Sequence, residues 1–506
     1  MWVRGRTVAA LMVLAAIAGG AATWGAIQAG GLMPEPELPV MSVKGSESPE
    51  GLRQGELDKL NKALDLIGEH YMLPADRKAL IDGALQGMVE SLGDPYSVYL
   101  SSEEAEKFTD TTHGEFTGIG ADLKKENGVI VVESPLKGSP ADRAGLQPRD
   151  ILLMVNGESL QGLSLSDAAA KIRGPKGTKA KLKVLRPGAK EPIELELVRD
   201  RIPLETVKAE LSPDGIGRLT ISQFSLNTPA QVEDELKSME ERGLKALVID
   251  VRNNPGGMTD SVRKIADRLV PRGKVIVQYE YNDGRRVQEV SEGTEDSDKA
   301  YPIVVLTNKA SASSAEILAG ALRQSAGAKL VGETTFGKGT VQISYGDDLG
   351  DGSLLKLTVS KWLLPDGTWI HHKGIEPDLK VSQPAYWLAF RLPRDHALKR
   401  DDTGEDVKNL QQILEGVGFP ADREDGYFSE ATERSLKEFQ RREGLPVSGQ
   451  TDARTADRLE ESLYDQLQKP ENDKQLQAAL GKAREMAGIA SAAGRISSPA
   501  VESIGG

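Results

Sequence analysis

The chain has 506 residues, 39% hydrophobic and 27% charged, which is more than one hydrophobic core organises, so several globular domains are expected. A formal net charge of −13 argues against a nucleic-acid partner. There is no cysteine, which excludes a thiol nucleophile, a disulfide framework, a thiolate zinc site and a lipid-modified cysteine.

Arg4 and Arg6 precede an apolar stretch from Val8 to Ile27, about 20 residues and long enough to span a bilayer as a helix. Positive charge in front of it predicts an N-in orientation, with the rest of the chain outside the cytoplasm. A cleaved signal peptide is the competing reading, because the second half is rich in Gly and Ala. Residues 1–30 are therefore expected to be a signal or membrane anchor. Residues 31–55, rich in Pro, Glu, Ser and Gly, are expected to be a linker. Apolar residues then recur at helical spacing: Leu57, Leu60, Leu64, Ile67 and Tyr71, followed by Leu80, Ala84, Leu85 and Met88. This N-terminal helical region, 56–111, reads either as a bundle packed on the core or as a homodimerisation arm. Gly93-Asp94-Pro95-Tyr96-Ser97 is a turn.

Residues 112–199 form a compact β-rich unit. Gly118-Ile119-Gly120 precedes a strand-like Val129 to Val132. SPADRAGLQPRDILLMVNGESL, a helix over Ser166–Ile172 and a strand over Ala180–Leu185 follow. The spaced SPA, AGL, D-x-I and VNG elements resemble a PDZ domain, with Arg149 standing where that pattern usually has Gly. The resemblance implies capture of an extended C-terminal peptide as an added strand, its carboxylate cupped by the amides of Gly118, Ile119 and Gly120.

The core, 200–382, opens with a strand over Gly217–Phe224 and a helix over Gln231–Glu241. Ala246 to Val251 is an almost continuous apolar run and so a buried strand. It ends in Arg252-Asn253-Asn254-Pro255-Gly256-Gly257, whose glycines let backbone N–H groups point into a cleft. Pro271 to Lys299 is polar and acidic, an exposed hairpin and loop. Ile303 to Leu306 is a further strand, followed by a turn of small residues, Ala310 to Ala315. A helix with Ile317, Leu318 and Leu322 on one face runs to Gly327. Lys329 to Val331 leads into the glycine-hinged loop Phe336-Gly337-Lys338-Gly339. Serines at a strand-to-helix turn sit where a nucleophile is exposed beside helix-terminal N–H groups. A lysine between glycines can approach closely. The reading is a serine protease with a Ser–Lys dyad, and on these grounds Ser311, Ser313 and Ser314 are equivalent nucleophiles. His371 and His372 keep a Ser–His arrangement open, although adjacent residues on a strand face opposite ways and only one could serve.

SASSAEI (311–317) followed by FGKGTVQ (336–342) resembles the signature of the C-terminal processing (tail-specific) proteases, peptidase family S41. Ser313 precedes Lys338 by 25 positions and Glu316 by three, and Gln342 lies four beyond the lysine, as in that family. The segments GDPYS, DVRNNPGG (250–257) and GIEPD (374–378) agree, so the likeness runs from about Leu92 to Val381. It implies a multidomain α/β protein: a mixed sheet-and-helix, crotonase-like protease core with an inserted PDZ domain. By the same resemblance Ser313 is the nucleophile, Lys338 the base and Gln342 the residue that orients the lysine. Gly256 (Gly257 as second choice) and the amide of Ser314 would form the oxyanion hole. No cofactor is implied. The substrates implied are unfolded or signalling proteins engaged by their C-termini. Such a lysine must be desolvated enough to lower its pKa toward working pH. Arg173, in the breaker-rich IRGPKGT loop (172–178), is read as coupling PDZ occupancy to the active site, against the plainer reading of a solvated loop.

Asp401 to about Leu459 is a separate unit of three short helices, within domain bounds of 400–462. GYFSEATERSLKEFQRREGL and the following Thr451 resemble a peptidoglycan-binding domain of type 1, which implies peptidoglycan as a further partner. Residues 463–506, increasingly Ala/Gly/Ser-rich, are expected to be a flexible tail beyond one helix. Two other functions compete: a non-catalytic cell-wall PDZ adaptor, and a hydrolase of peptidoglycan peptides. An adaptor would have no use for a complete Ser313/Lys338/Gln342 set.

Overall fold

A computed structural model describes residues 51–126, 128–189, 191–293, 301–346 and 348–489. The expected membrane-anchor segment and nearly all of the 31–55 linker lie outside the described residues, as does the end of the tail. Among the described residues no helix is long and apolar enough to cross a membrane.

The core is built on a six-stranded sheet. Val207–Leu211 pairs antiparallel with Ile216–Ile221, and parallel strands Ala246–Asp250, Ile303–Thr307, Lys329–Gly332 and Leu379–Lys380 follow in that order. Every residue of Ala246–Asp250 and Ile303–Thr307 is buried, as apolar β-branched runs predict for strands covered on both faces. Right-handed crossovers through strands in sequential order put their helices on one face. Thr228–Glu241, Thr259–Leu269 and Ser314–Ser325 indeed share one apolar cluster with Leu247, Ile249, Val305 and Leu330. A second, antiparallel sheet joins Val98–Leu100, Leu354–Leu363, Val275–Tyr281 and Arg286–Val290, with Thr340–Tyr345 also on the long strand. The expected hairpin at 271–299 is therefore no mere surface excursion, since Ile276 and Val277 enter the core.

The opposite face of the parallel sheet is closed from the far end of the chain. Leu476, Ala479 and Ala483 of helix Lys474–Met486 pack on Ala246, Val248, Val304, Leu306 and Val331. Over its described part, the expected flexible tail 463–506 is thus corrected. Helix Ala453–Leu467 runs past residue 462, and helix Lys474–Met486 is an integral layer of the core. The physical reason is the bare apolar sheet face, which a short Ala-rich helix can approach closely.

The β-rich unit has its own core and a sheet in the order Ala121–Glu126, Val129–Pro135, Ile151–Val155, Lys179–Leu185, Ile193–Val198. Ala121–Glu126 is an edge strand and lies against helix Leu165–Ile172. Arg149 adopts φ 71° and keeps the turn that a glycine would favour, at a cost of about 1–2 kcal/mol. Entry to and exit from this unit are paired, Glu115–Gly118 against Asp200–Pro203.

Helix Gln54–His70 buries no residue, and Leu57, Leu60 and Leu66 are exposed. Helix Arg77–Glu90 buries only Val89 and is tied to the second sheet by Tyr99 Oη donating to Asp82 at 2.8 Å. Of the two readings of 56–111, packing as a bundle on the core is not what the described chain shows for the first helix. The C-terminal unit packs helices Glu405–Gly416, Glu430–Arg442 and Ala453–Leu467 around Phe428, Leu436 and Phe439.

Candidate active site

Three loops leave the C-terminal ends of neighbouring parallel strands and converge, the usual place for a site in such a sheet. They run from Asp250 to Gly257, from Thr307 to Ser313 and from Gly332 to Lys338. Ser313 caps helix Ser314–Ser325 with φ 55° and ψ −116°, a conformation unusual for a residue with a Cβ. Strain of this kind is stored where the surroundings over-determine it. Its two neighbours are engaged otherwise. Ser311 Oγ donates to Val251 O at 2.8 Å, and Ser314 Oγ to Gly257 O at 2.9 Å. The three serines, which their place in the turn alone barely separates, thus differ in their hydrogen bonds.

Glu316 ties the serine to the lysine loop. One carboxylate oxygen, Oε2, accepts from the backbone N–H of Ser313 (2.8 Å) and of Lys338 (2.9 Å). The other, Oε1, accepts from Gly337 N (2.7 Å) and Thr335 Oγ1 (2.5 Å). Burial pushes the Glu316 pKa up, against these hydrogen bonds, which favour the ionised form. Two more bonds hold the lysine loop: Trp362 Nε1 donates to Lys338 O (2.7 Å) and Trp369 Nε1 to Gly339 O (2.8 Å). A Cβ on Gly337 would stand 2.8 Å from Gly374 N, so only glycine allows this approach.

Lys338 is 1% exposed. Desolvation lowers its pKa to about 8, although Glu316 and Asp94 pull it upward. Its Nζ lies 4.9 Å from the centroid of the Tyr96 ring, in the turn that precedes the first strand. Gln342, also 1% exposed, donates through Nε2 to Thr340 Oγ1 and Thr358 Oγ1, both at 3.0 Å. Its Oε1 is buried without a hydrogen-bond partner.

Gly256 has φ 104°, and a Cβ there would lie 2.8 Å from Ser313 Cβ, so its loop packs directly on the serine turn. The Gly256 N–H, expected as an oxyanion donor, is taken up instead by Asn254 Oδ1 at 2.8 Å. Gly257 follows it in the same loop at φ 145°. The amide of Ser314 is the first of its helix and belongs to the N–H groups that a helix leaves unsatisfied. His371 serves the lysine loop: its Nδ1 accepts from Gly339 N at 3.2 Å, and its ring stacks on Trp369. In a Ser–His–Asp arrangement that nitrogen would face a carboxylate.

In the PDZ unit, Ile119 O accepts from Ala141 N (2.8 Å) and Gly120 O from Leu136 N (3.0 Å), which anchors the Gly118–Gly120 loop from its carbonyl side. Arg173 stands beside that loop, its guanidinium carbon 5.6 Å from the Phe116 ring centroid. Sequence reasoning missed Asp94, Thr358, Trp362 and the clamping role of Glu316. The GDPYS turn and the Ser-to-Glu spacing were the available signals.

The model for peptidase family S41 matches residues 215–381, that for the activating protease CtpB N-terminal domain 16–104, a PDZ domain 131–186 and a peptidoglycan binding domain 403–459. The carboxy-terminal processing protease CtpB of Bacillus subtilis (strain 168) is 41% identical over 474 residues, 92% of this chain and 98% of that protein. CtpA of the same organism is 41% identical over 425 residues, 84% of this chain and 90% of that protein. Among solved structures, a photosystem II D1 C-terminal processing protease shares 29% identity over 64% of this chain and 86% of its own, with a TM-score of 0.38. The chain belongs to peptidase family S41, among the carboxy-terminal processing serine proteases.

Proposed function

We propose that the proteolysis is carried out by a Ser313–Lys338 dyad acting on protein C-termini delivered by the PDZ unit. The observation that carries this is the single Glu316 oxygen bonded to the amides of both residues, beside a lysine whose pKa is lowered to about 8. Neutral Lys338 takes the Ser313 hydroxyl proton as Oγ attacks the scissile carbonyl. The amides of Ser314 and Gly257 receive the oxyanion, since that of Gly256 is engaged by Asn254. The Lys338 ammonium returns its proton to the leaving amine, and water hydrolyses the acyl-enzyme by the same route. Gln342 supplies an acceptor to the ammonium.

The edge strand Ala121–Glu126 beside helix Leu165–Ile172 suits strand addition of an extended C-terminal peptide. Arg173, next to the Gly118–Gly120 loop, would meet the peptide carboxylate and report occupancy. The apolar residues exposed on Gln54–His70 suit a homodimer contact. Export, with the N-terminal segment as signal or anchor, and glycan binding by the C-terminal unit would place the enzyme at the cell wall.

The test is cleavage of an unstructured protein by the purified full chain, beside Ser313→Ala and Lys338→Ala. Loss of activity in both, with circular dichroism unchanged, is expected. Activity surviving either substitution overturns the dyad.

A further inference from the structure

The turn Gly93–Ser97 reaches the active site from the N-terminal region, and its acidic residue takes part in a partly buried hydrogen-bond chain that ends at the buried Gln342. Asp94 Oδ2 accepts from Ser97 Oγ (2.7 Å) and Thr358 Oγ1 (2.5 Å), and Oδ1 from Tyr96 N (3.1 Å). Thr358 and Gln342 are cross-strand partners, and Gln342 Nε2 donates to Thr358 Oγ1 at 3.0 Å. We propose that Asp94 is a positioning residue for the general base: through Thr358 it sets the direction of this chain, so that Gln342 turns its amide oxygen rather than its NH2 group toward Lys338.

The argument is one of donors and acceptors. An ionised carboxylate only accepts, so the single Thr358 hydroxyl proton is committed to Asp94. The Thr358 oxygen can then only accept from Gln342, which fixes the side on which Nε2 lies. The second Nε2 proton goes to Thr340. Both amide protons are spent, and Oε1 is left as a buried acceptor without a partner. That is the group needed when Lys338 becomes an ammonium on taking the serine proton, because catalytic hydrogen bonds often close only as the reaction proceeds. Burial raises the Asp94 pKa, but the bonds from Thr358, Ser97 and the Tyr96 and Ser97 amides outweigh it and hold the carboxyl below its usual range. The chain therefore keeps one direction at working pH. The inference rests on the dyad reading and on Gln342 as partner of the lysine.

Replacing Asp94 by Asn removes what commits the chain to one direction and lets it reverse. The amide introduced by Asp94→Asn can donate to Thr358, Thr358 can donate to Gln342, and a flipped Gln342 would face Lys338 with NH2, donor against donor. The groups around Lys338 are Glu316 from the serine helix, Asp94 and Tyr96 from the turn, and Lys356 from the long strand, with His371 against the following glycine. Loss of the Asp94 charge alone would also lower the Lys338 pKa, so the test must separate charge from direction.

The experiment measures kcat and KM against pH for the full chain on an unstructured protein, with melting temperatures. Asp94→Asn is expected to lower kcat roughly tenfold or more at little change in KM, a part of what a positioned base contributes, and to move the acid limb to lower pH. Thr358→Val keeps the charge and breaks the chain, and should lose kcat comparably, with Thr358→Ser recovering it in part. The double variant Asp94→Asn/Thr358→Val should be little worse than Thr358→Val alone. Gln342→Glu combined with Asp94→Asn offers acceptors whichever way the chain runs, and should restore part of kcat. Equal loss from Asp94→Asn with and without Thr358→Val, or kcat within about twofold of the parent, overturns the proposal. Should Asp94→Asn fail to fold, the pair Thr358→Val and Thr358→Ser decides alone. Activity in Ser313→Ala or Lys338→Ala would instead sink the dyad reading, so the two failures are distinct.

Discussion

The ammonium of Lys338 has lost nearly all its water, and two acidic groups, Glu316 and Asp94, are near enough to restore part of the lost stabilisation. Desolvation prevails, and the pKa falls from 10.5 to about 8. The active form is the neutral amine, which dominates above that pKa. The rate constant kcat/KM is therefore expected to rise with pH through a midpoint near 8 and level off above it. At pH 7 about a tenth of the lysine is in the basic form, by simple titration. A pH–rate profile checks this, and a midpoint below the ordinary imidazole range would implicate His371 instead, whose pKa burial pushes down. The lowered pKa was legible only as a requirement, because burial depends on Trp362, Tyr96 and the strands around the loop.

At the scale of elements, the serine helix and the lysine loop are held by one buried carboxylate. Glu316 accepts four hydrogen bonds, from Ser313, Thr335, Gly337 and Lys338. Glu316→Ala would leave buried donors unpaired at about 1–3 kcal/mol each, tempered by relaxation and entering water. We expect a loss of several kcal/mol in urea unfolding and a fall in kcat of a hundredfold or more. Glu316→Gln, which keeps the shape and one acceptor, should lose less of both. Full activity in Glu316→Ala would show that the two segments need no clamp. The helix was read from Ile317, Leu318 and Leu322 on one face, yet Ser314 to Leu322 is buried throughout. Periodicity in sequence reports one covered face, and a helix enclosed on all sides by the core does not show as amphipathic.

In the whole molecule, the chain closes on itself through its C-terminal helix. Arg252, in the loop that carries Gly256 and Gly257, bonds Asp473 at 2.8 and 2.9 Å and Asp250 at 2.8 and 2.9 Å. Burial lowers the Arg252 pKa, but these carboxylates outweigh it and hold it above its usual value. The segment beyond the peptidoglycan-binding-like unit thus supports the Asp250–Gly257 loop as well as the sheet. Leu476 is 2% exposed in this contact, and Leu476→Ala is expected to cost about 2–5 kcal/mol in urea unfolding. A change under about 0.5 kcal/mol would mean that the helix is not a structural layer in solution.

The sequence by itself determined the chemistry and the modules. Ser313, Glu316, Lys338 and Gln342 stand at spacings that one loop and one turn of helix can bring together, and the PDZ pattern survives even with Arg149 in its turn. These are local features, set by short-range backbone geometry. What the tertiary structure decided is nonlocal. It engaged the hydroxyls of Ser311 and Ser314, the neighbours of Ser313, elsewhere, and it spent the Gly256 amide on Asn254. It also brought Asp94 to Thr358 and Gln342, 264 and 248 positions away, and helix Lys474–Met486 to strands that lie far earlier in the chain. The physical reason is that a donor, an acceptor or an apolar face carries no mark of its partner in sequence. The partner is settled only when burial removes water and every polar group must find a match inside.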